Sequence, residues 1–409
     1  MLPINPERML DDLRALAQFG KLGTGVNRRS LTADDLAARD WLVERMRDAG
    51  LDARIDGIGS LSGRTPGSRK HILIGSHTDS VPKGGWLDGS MGVIFGLEIA
   101  RAHVESGRLD EPGIEVISFI DEEGRFAGLL GSAVFAGRMD EDDMRDLTDE
   151  RGEGLESALE AAGYAGRELL RFEPDRHAAY LEAHIEQGPV LETAGKRIGL
   201  VTDIVGVSRC EVVFTGQADH AGTTPMGLRR DAAAALYAFA DDFARFCRDE
   251  GSDRTVWNLG IVAMDPGAYN VVTRQARLGV EYRDPSESVI DRIRQYIGES
   301  ASRVAKRHRV SAEVIDGAGI RPNPMDETIL RHLERAAGDL GASSIRMPSG
   351  AGHDATMLAP LIPSAMMFVP SIGGRSHDIS EDTREEDIVL GLKVLARAVE
   401  RIIAGSALA

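Results

Sequence analysis

HILIGSHTDS, residues 71–80, runs from a block of apolar side chains straight into polar ones. Its isoleucines and leucine are contiguous rather than alternating, the pattern of a strand covered on both faces. IEVISFI, residues 114–120, is similar, and each run is followed by a glycine-containing segment and then a predicted helix. This alternation predicts βαβ units around a buried parallel sheet, with chemistry gathered beyond the carboxyl ends of the strands. Upstream, the first 50 residues read as two helices. Pro6 lies near the start of one, and Thr32-Ala-Asp-Asp35 opens the other, whose face includes Leu36, Trp41 and Leu42.

The pattern changes after about Gly206. CEVVFTG (210–216) predicts a strand, Arg230 to Glu250 an alanine-rich helix, and TVWNLGIVAM (255–264) and ARLGVEYR (276–283) two more strands. Ser286 to His308 predicts a helix with an apolar stripe at Val289, Ile290, Ile293, Ile297 and Val304, and RVSAEVI (309–315) a last strand. The order βαββαβ is a ferredoxin-like split. After Pro322 the helix–strand alternation resumes. The expected fold class is α/β, a mixed, mostly parallel sheet domain interrupted by an inserted α+β ferredoxin-like domain. The expected limits are 1–205, 206–318 and 319–409.

With 409 residues the chain suits two or three domains, and 42% hydrophobic content allows a substantial core. Lys and Arg number 48 against 65 Asp and Glu, a formal net charge of −17. That surplus argues against nucleic acid or an anionic membrane as the main partner, while leaving room for a local basic pocket. Two cysteines, Cys210 and Cys247, are too few for a disulfide framework and fit a reducing compartment. The opening MLPINPERMLDDLRAL lacks the basic patch and apolar run of a signal peptide, so a cytoplasmic location is expected.

His77 and Asp79 stand just past the first run, and Asp88 follows in the glycine-rich GGWLDGSMG (84–92). A metal-bound imidazole usually donates its second N–H to a carboxylate, and Asp79 is spaced to accept it from His77. Alone, the pair reads more simply as a capped strand end. ISFIDEEGRF (117–126) then sets Asp121, Glu122 and Glu123 at the exit of the second run. Successive acids there are costly unless a cation or solvent compensates them. One carboxylate can ligate a divalent ion while its neighbour takes a proton from water. LEAHIEQG (181–188) adds His184 with Gln187, and GGRSHDISED (373–382) adds His377. Together His77, Asp88, Glu123, His184 and His377 supply three imidazoles and two carboxylates, a set suited to two divalent ions. A further group comprises His220 in ADHAGTTPMGLRRDA (218–232), Asn270 in AYNVV (268–272), Arg283 in VEYRDP (280–285) and Gly352 in PSGAGHDA (348–355). Arginine and asparagine are suitable partners for a substrate carboxylate.

These blocks together resemble the amidase/hydantoinase/carbamoylase branch of the dinuclear-metal aminoacylase and peptidase superfamily. That branch includes N-carbamoyl-L-amino acid hydrolases, allantoate amidohydrolases and β-ureidopropionases. The resemblance spans nearly the whole chain in family order, and LEAHIEQG, DHAGTTPM and SGAGHDA are specific to the branch. It implies two divalent ions per subunit (zinc, manganese, cobalt or nickel), with His77 and His184 on different ions, Asp88 bridging, and Glu123 and His377 completing the pair. It implies Glu122 as general base and then acid. It also implies that the insert is a lid and dimerisation domain whose His220 reaches the partner's active site to polarise the scissile carbonyl. Asn270 and Arg283 match positions that hold the substrate carboxylate, with Gln187 and the Gly352 backbone near the substrate.

Two departures from the family pattern bear on the substrate: the short EEGRFAGLLGS (122–132), where many relatives read EEGSRF, and Arg375 in place of an apolar residue. The expected activity is hydrolysis of the carbamoyl C–N bond of an N-carbamoyl-L-amino acid by a homodimer acting on a small carboxylate-bearing substrate. The rivals are allantoate or N-acyl amino acid hydrolysis on the same scaffold, and a metal-binding homologue without catalysis. Glu122 argues against the last, since a pure binder gains nothing from a spare base.

Overall fold

The computed structural model describes residues 2–107, 112–317 and 319–405. Helices α1 (Pro6–Leu16) and α2 (Ala33–Asp48) open the chain, followed by strands β1 (Asp52–Ile55), β2 (Leu61–Arg64) and β3 (His71–His77). Helix α3 (Ser90–Glu105) leads to β4 (Gly113–Phe119), β5 (His177–Ile185) and β6 (Ile198–Ile204). Then come β7 (Gly206–Thr215), α4 (Ala232–Glu250), β8 (Val256–Asp265), β9 (Gln275–Asp284), α5 (Glu287–His308) and β10 (Ser311–Asp316). The chain continues with β11 (Asn323–Pro324), α6 (Glu327–Asp339), β12 (Ser344–Ser349), β13 (Ser364–Val369) and α7 (Glu385–Gly405). No described helix is long and apolar enough to cross a membrane.

Two compact units result, one of residues up to Thr202 together with those from Pro324 on, the other Asp203–Asn323. Residue 318, the sequence-based limit of the insert, lies outside the described residues.

The larger unit is built on a nine-stranded mixed sheet in the order β11-β6-β13-β5-β3-β4-β2-β1, with β12 paired to β6. Its centre, β13-β5-β3-β4, is parallel, while β6 and β2 flank it antiparallel. All seven residues of β3 and of β4 are buried, which explains their largely apolar runs. Gly75 is required by the close pairing, because a Cβ there would fall 1.8 Å from the Ile117 carbonyl oxygen. Helix α3 is buried from Ser90 to His103 and so is apolar on nearly all sides. The parallel strands end level, with His77 beside Phe119 and Ile185 beside Val369. Their exits therefore deliver four loops to one edge of the sheet.

The smaller unit pairs its strands antiparallel in the order β8-β9-β7-β10. Phe214, Phe239, Phe243, Leu278, Ile293 and Ile297 are among the buried residues of its own core.

Candidate metal centre

The loops leaving β3, β4 and β13, together with the end of β5, converge on Asp88. His184 Nε2 lies 3.0 Å and His77 Nε2 3.5 Å from Asp88 Oδ1, while His377 Nε2 lies 3.4 Å from Oδ2. His77 Nε2 is also 3.6 Å from Glu122 Oε2, and His377 Nε2 is 3.6 Å from Glu123 Oε1. Three donor groups emerge, each able to hold an ion: His77, Asp88 and His184; His77, Glu122 and Glu123; and Asp88, Glu123 and His377.

The resemblance implies different ions for His77 and His184, and the geometry brings the two imidazoles together. Both imidazoles face the same oxygen of Asp88 because β3 and β5 are adjacent strands, with ring centroids 6.1 Å apart. Asp79 also differs from expectation. His77 Nδ1 meets the Asp79 backbone carbonyl at 3.0 Å, whereas the carboxylate stands 3.7 Å away. That carboxylate accepts the backbone N–H groups of Glu122 (3.4 Å) and Glu123 (3.2 Å), and so fixes the acidic pair instead.

Backbone conformation aims the side chains. Asp121, Gln187 and His377 have φ of 57°, 58° and 54°, left-handed values that non-glycine residues adopt rarely. The Asp121 carboxylate holds its turn closed by accepting the N–H groups of Arg125, Phe126 and Ala127 at 2.7–2.9 Å. Gln187 Nε2 donates to Asp88 Oδ2 at 3.0 Å. Gly352 precedes His353, whose ring meets that of His184 edge-on at 4.6 Å. Glu381 was not singled out by its sequence, yet its carboxylate accepts the N–H of Asp88 (3.1 Å) and the hydroxyl of Ser376 (2.8 Å), tying two of the loops together.

The donor chemistry fits a cation. Nδ1 of His77 donates to the Asp79 carbonyl and Nδ1 of His184 to the Ile185 carbonyl at 2.9 Å. In the neutral His77 ring the Nε2 lone pair is then aimed at a carboxylate oxygen, acceptor against acceptor, while Nε2 of His184 accepts the Gly89 N–H at 3.1 Å. Either a buried imidazolium or a divalent ion resolves that conflict: burial lowers His77, but Glu122, Asp88 and Asp79 outweigh it and hold the ring well above the usual imidazole range, a pull that a divalent ion would satisfy in the proton's place. The carboxylates bear the same mark. Burial first, then Glu123, Asp354 and Asp88, hold Glu122 well above the usual carboxylate range against the pull of His77. Glu123 is pushed to about 7 by burial and Asp88. Burial also raises Asp88, but the imidazoles of His184, His377 and His77 outweigh it and hold Asp88 well below its ordinary value.

In the smaller unit, His220 is exposed and its Nδ1 accepts the N–H groups of Gly222 (3.1 Å) and Thr223 (3.2 Å). Its Nε2 is therefore the protonated nitrogen of the neutral ring. Asn270 lies beside it, accepting the Ala221 N–H at 2.9 Å through its carbonyl. Arg283 does not join them. Gln275 of β9 pairs with Thr215 near the His220 loop, whereas Arg283 pairs with Val207 at the far end of β7. There its Nε and guanidinium nitrogen bond Glu281 at 3.0 and 2.8 Å.

Three imidazoles around a shared carboxylate, with a proton-hungry glutamate alongside, suit the chemistry of a metal-dependent hydrolase. The sequence profile of peptidase family M20/M25/M40 matches residues 73–401. An N-carbamoyl-L-amino-acid amidohydrolase from Paenarthrobacter aurescens is 36% identical, covering 97% of this chain and 98% of that protein. An allantoate amidohydrolase from Bacillus subtilis is 31% identical over 94% of this chain and 95% of its own. The crystal structure of a hydantoinase/carbamoylase family amidase from Burkholderia phymatum superposes with a TM-score of 0.93 at 44% identity, covering 99% of both chains. The chain belongs to peptidase family M20/M25/M40, among relatives that are amidohydrolases acting on C–N bonds.

Proposed function

We propose that the protein hydrolyses the carbamoyl C–N bond of an N-carbamoyl-L-amino acid, releasing the amino acid, carbon dioxide and ammonia. The observation that carries this is the pair of faces presented by Asp88: His77 and His184 on one oxygen, His377 and Glu123 beside the other. That arrangement suits two ions sharing Asp88, one with His77 and His184 and one with Glu123 and His377. Zinc, manganese, cobalt and nickel all accept such ligands. When bound, divalent ions polarise a carbonyl and acidify water.

Glu122 takes a proton from water as the oxygen bonds to the ureido carbon, and returns it to the nitrogen as the C–N bond breaks. Ammonia leaves, and the carbamate loses carbon dioxide. His220 donates through Nε2 to the carbonyl oxygen as charge develops, a contact worth about 3 kcal/mol in comparable oxyanion sites. Asn270 and Arg283 hold the α-carboxylate, while Gln187 and the Gly352 backbone border the substrate. An acidic protein with this local arginine fits a small anionic substrate and a cytoplasmic setting.

The insert acts as a lid and as the dimer contact. Gln275 and Arg283 mark the two ends of β9, about 27 Å apart at 3.4 Å per residue. A small substrate does not span that length, so His220 and Asn270 come from one subunit and Arg283 from the other. Exposed Val256, Ile261 and Val262 on edge strand β8 supply apolar surface in the same unit.

The direct test is ammonia release from N-carbamoyl-L-amino acids, N-carbamoyl-β-alanine, allantoate and N-acyl amino acids, by enzyme stripped with chelator and reloaded with single metals. Metal-dependent release from the first class is expected. Release confined to allantoate would transfer the assignment to the reaction named for the Bacillus subtilis relative. Glu122→Gln should lower kcat about 10²–10⁴-fold with metal content intact. Co-expressing Glu122→Gln with His220→Ala tests the exchange between subunits. Each variant alone should be nearly inactive, and the hybrid dimer should regain one working centre. Verified hybrids without activity would refute the shared site.

A further inference from the structure

Arg28 is buried to 1% exposure, and none of the described carboxylates lies within salt-bridge distance of it. Its guanidinium donates instead to the carbonyl oxygens of Thr78 (2.7 Å), Leu16 (2.8 Å) and Phe19 (2.9 Å) and to the Ser90 hydroxyl (3.0 Å). The backbone is fixed as well, with Arg28 N–H to Ser80 Oγ and Ser80 N–H to the Arg28 carbonyl, both at 2.9 Å. Arg39, the other large buried cation, has Asp35 at 3.0 Å. A guanidinium without such a counter-charge is costly to bury, and burial draws Arg28 down to about 10.

The acceptors show what is gained. Thr78 links His77 to Asp79, Ser90 follows Asp88-Gly89 and opens α3, and Leu16 ends α1. One planar fork thus joins the His77–Asp79 segment to the Asp88–Ser90 segment and anchors both on α1. Those two segments carry ligand atoms that face each other at 3.5 Å. A lysine has the charge but not the fork, so it cannot hold all these acceptors at once.

We infer that Arg28 is a positioning residue of the hydrolytic centre, setting the separation of His77 from Asp88 and with it the site's affinity for its cation. The inference rests on the metal-centre reading given under Proposed function. It differs from simple core support, because core support would stabilise the fold without tuning the ligands.

The experiment measures divalent-ion affinity, by competition with a chromophoric chelator, for wild type, Arg28→Lys, Ser90→Ala and Leu13→Ala. Leu13 lies on α1 at 1% exposure, supplies none of the fork's acceptors, and serves as the control for lost stability. Melting temperatures of the metal-free proteins, and kcat and KM at saturating metal, are recorded alongside. Arg28→Lys and Ser90→Ala should weaken metal binding at least ~10-fold, in the range found for outer partners of metal ligands. Their kcat should fall while KM stays within about twofold, since no substrate contact is touched. Leu13→Ala should melt earlier yet bind metal as wild type does. Unchanged affinity in the two fork variants, or an equal loss in Leu13→Ala, overturns the inference. If Arg28→Lys does not fold, Ser90→Ala decides alone. A wild type that takes up no divalent ion fails the metal-centre reading itself, before any variant is compared.

Discussion

Gly89 has φ +62°, and a Cβ there would fall 2.4 Å from His77 Nε2. Gly89→Ala therefore has to push the ring or the Asp88 turn aside. The expected result is at least ~100-fold lower activity, in line with the cost of small misplacements at reacting centres. Unaltered activity and metal uptake would show that the turn relaxes freely. That His77, Asp88, Glu123, His184 and His377 gather at one place was legible in the sequence, because they stand in short motifs predicted at strand exits. Which imidazoles share an oxygen was not legible, since that follows from β5 lying beside β3 rather than from order along the chain. Nor was Asp79's engagement with two backbone N–H groups, which depends on β4 ending level with β3. Arg28 left no trace either, because three of its four guanidinium acceptors are backbone carbonyls that any residue supplies.

Helix α2 shows why some elements were harder to read. Asp35 and Arg39 lie on its buried side, both with side chains at 0% exposure, so charge occupies positions where periodicity seeks apolar residues. The pair is well satisfied: Asp35 also accepts the Leu31 N–H at 2.8 Å and Arg39 donates to the Gly59 carbonyl at 2.9 Å. Asp35→Asn leaves the guanidinium buried without a counter-charge, and should cost about 3–5 kcal/mol in urea unfolding with an unchanged slope. A loss under ~1 kcal/mol would mean that water reaches the site. Strands β1 and β2, four residues each with charged Asp52, Arg54 and Arg64, escaped notice for a similar reason. They extend the sheet antiparallel, where one face is free to be polar. By contrast α5, with its stripe from Val289 to Val304 wholly buried, was plain from spacing alone.

At the scale of the molecule, the two units have separate cores, so heating should melt them as two transitions. The proposed ions would bind the unit that holds Asp88. Chelator should lower its transition by about 5–10 °C for ions present at ~100 times their dissociation constant, and leave the other in place. Transitions that shift together, observed calorimetrically, would count against independent cores. The chain passes between the units twice, and the crossings run side by side. Val207 and Ile320 exchange hydrogen bonds at 2.8–2.9 Å, and Met325 N–H donates to the Thr202 carbonyl at 2.9 Å. An insert whose ends meet can be lost, acquired or exchanged between genes without reopening the sheet that receives it. Heredity can then revise Asn270 and Arg283, the proposed substrate contacts, while Glu122 and its neighbours are inherited unaltered; new specificities on an old reaction become a matter of grafting rather than rebuilding.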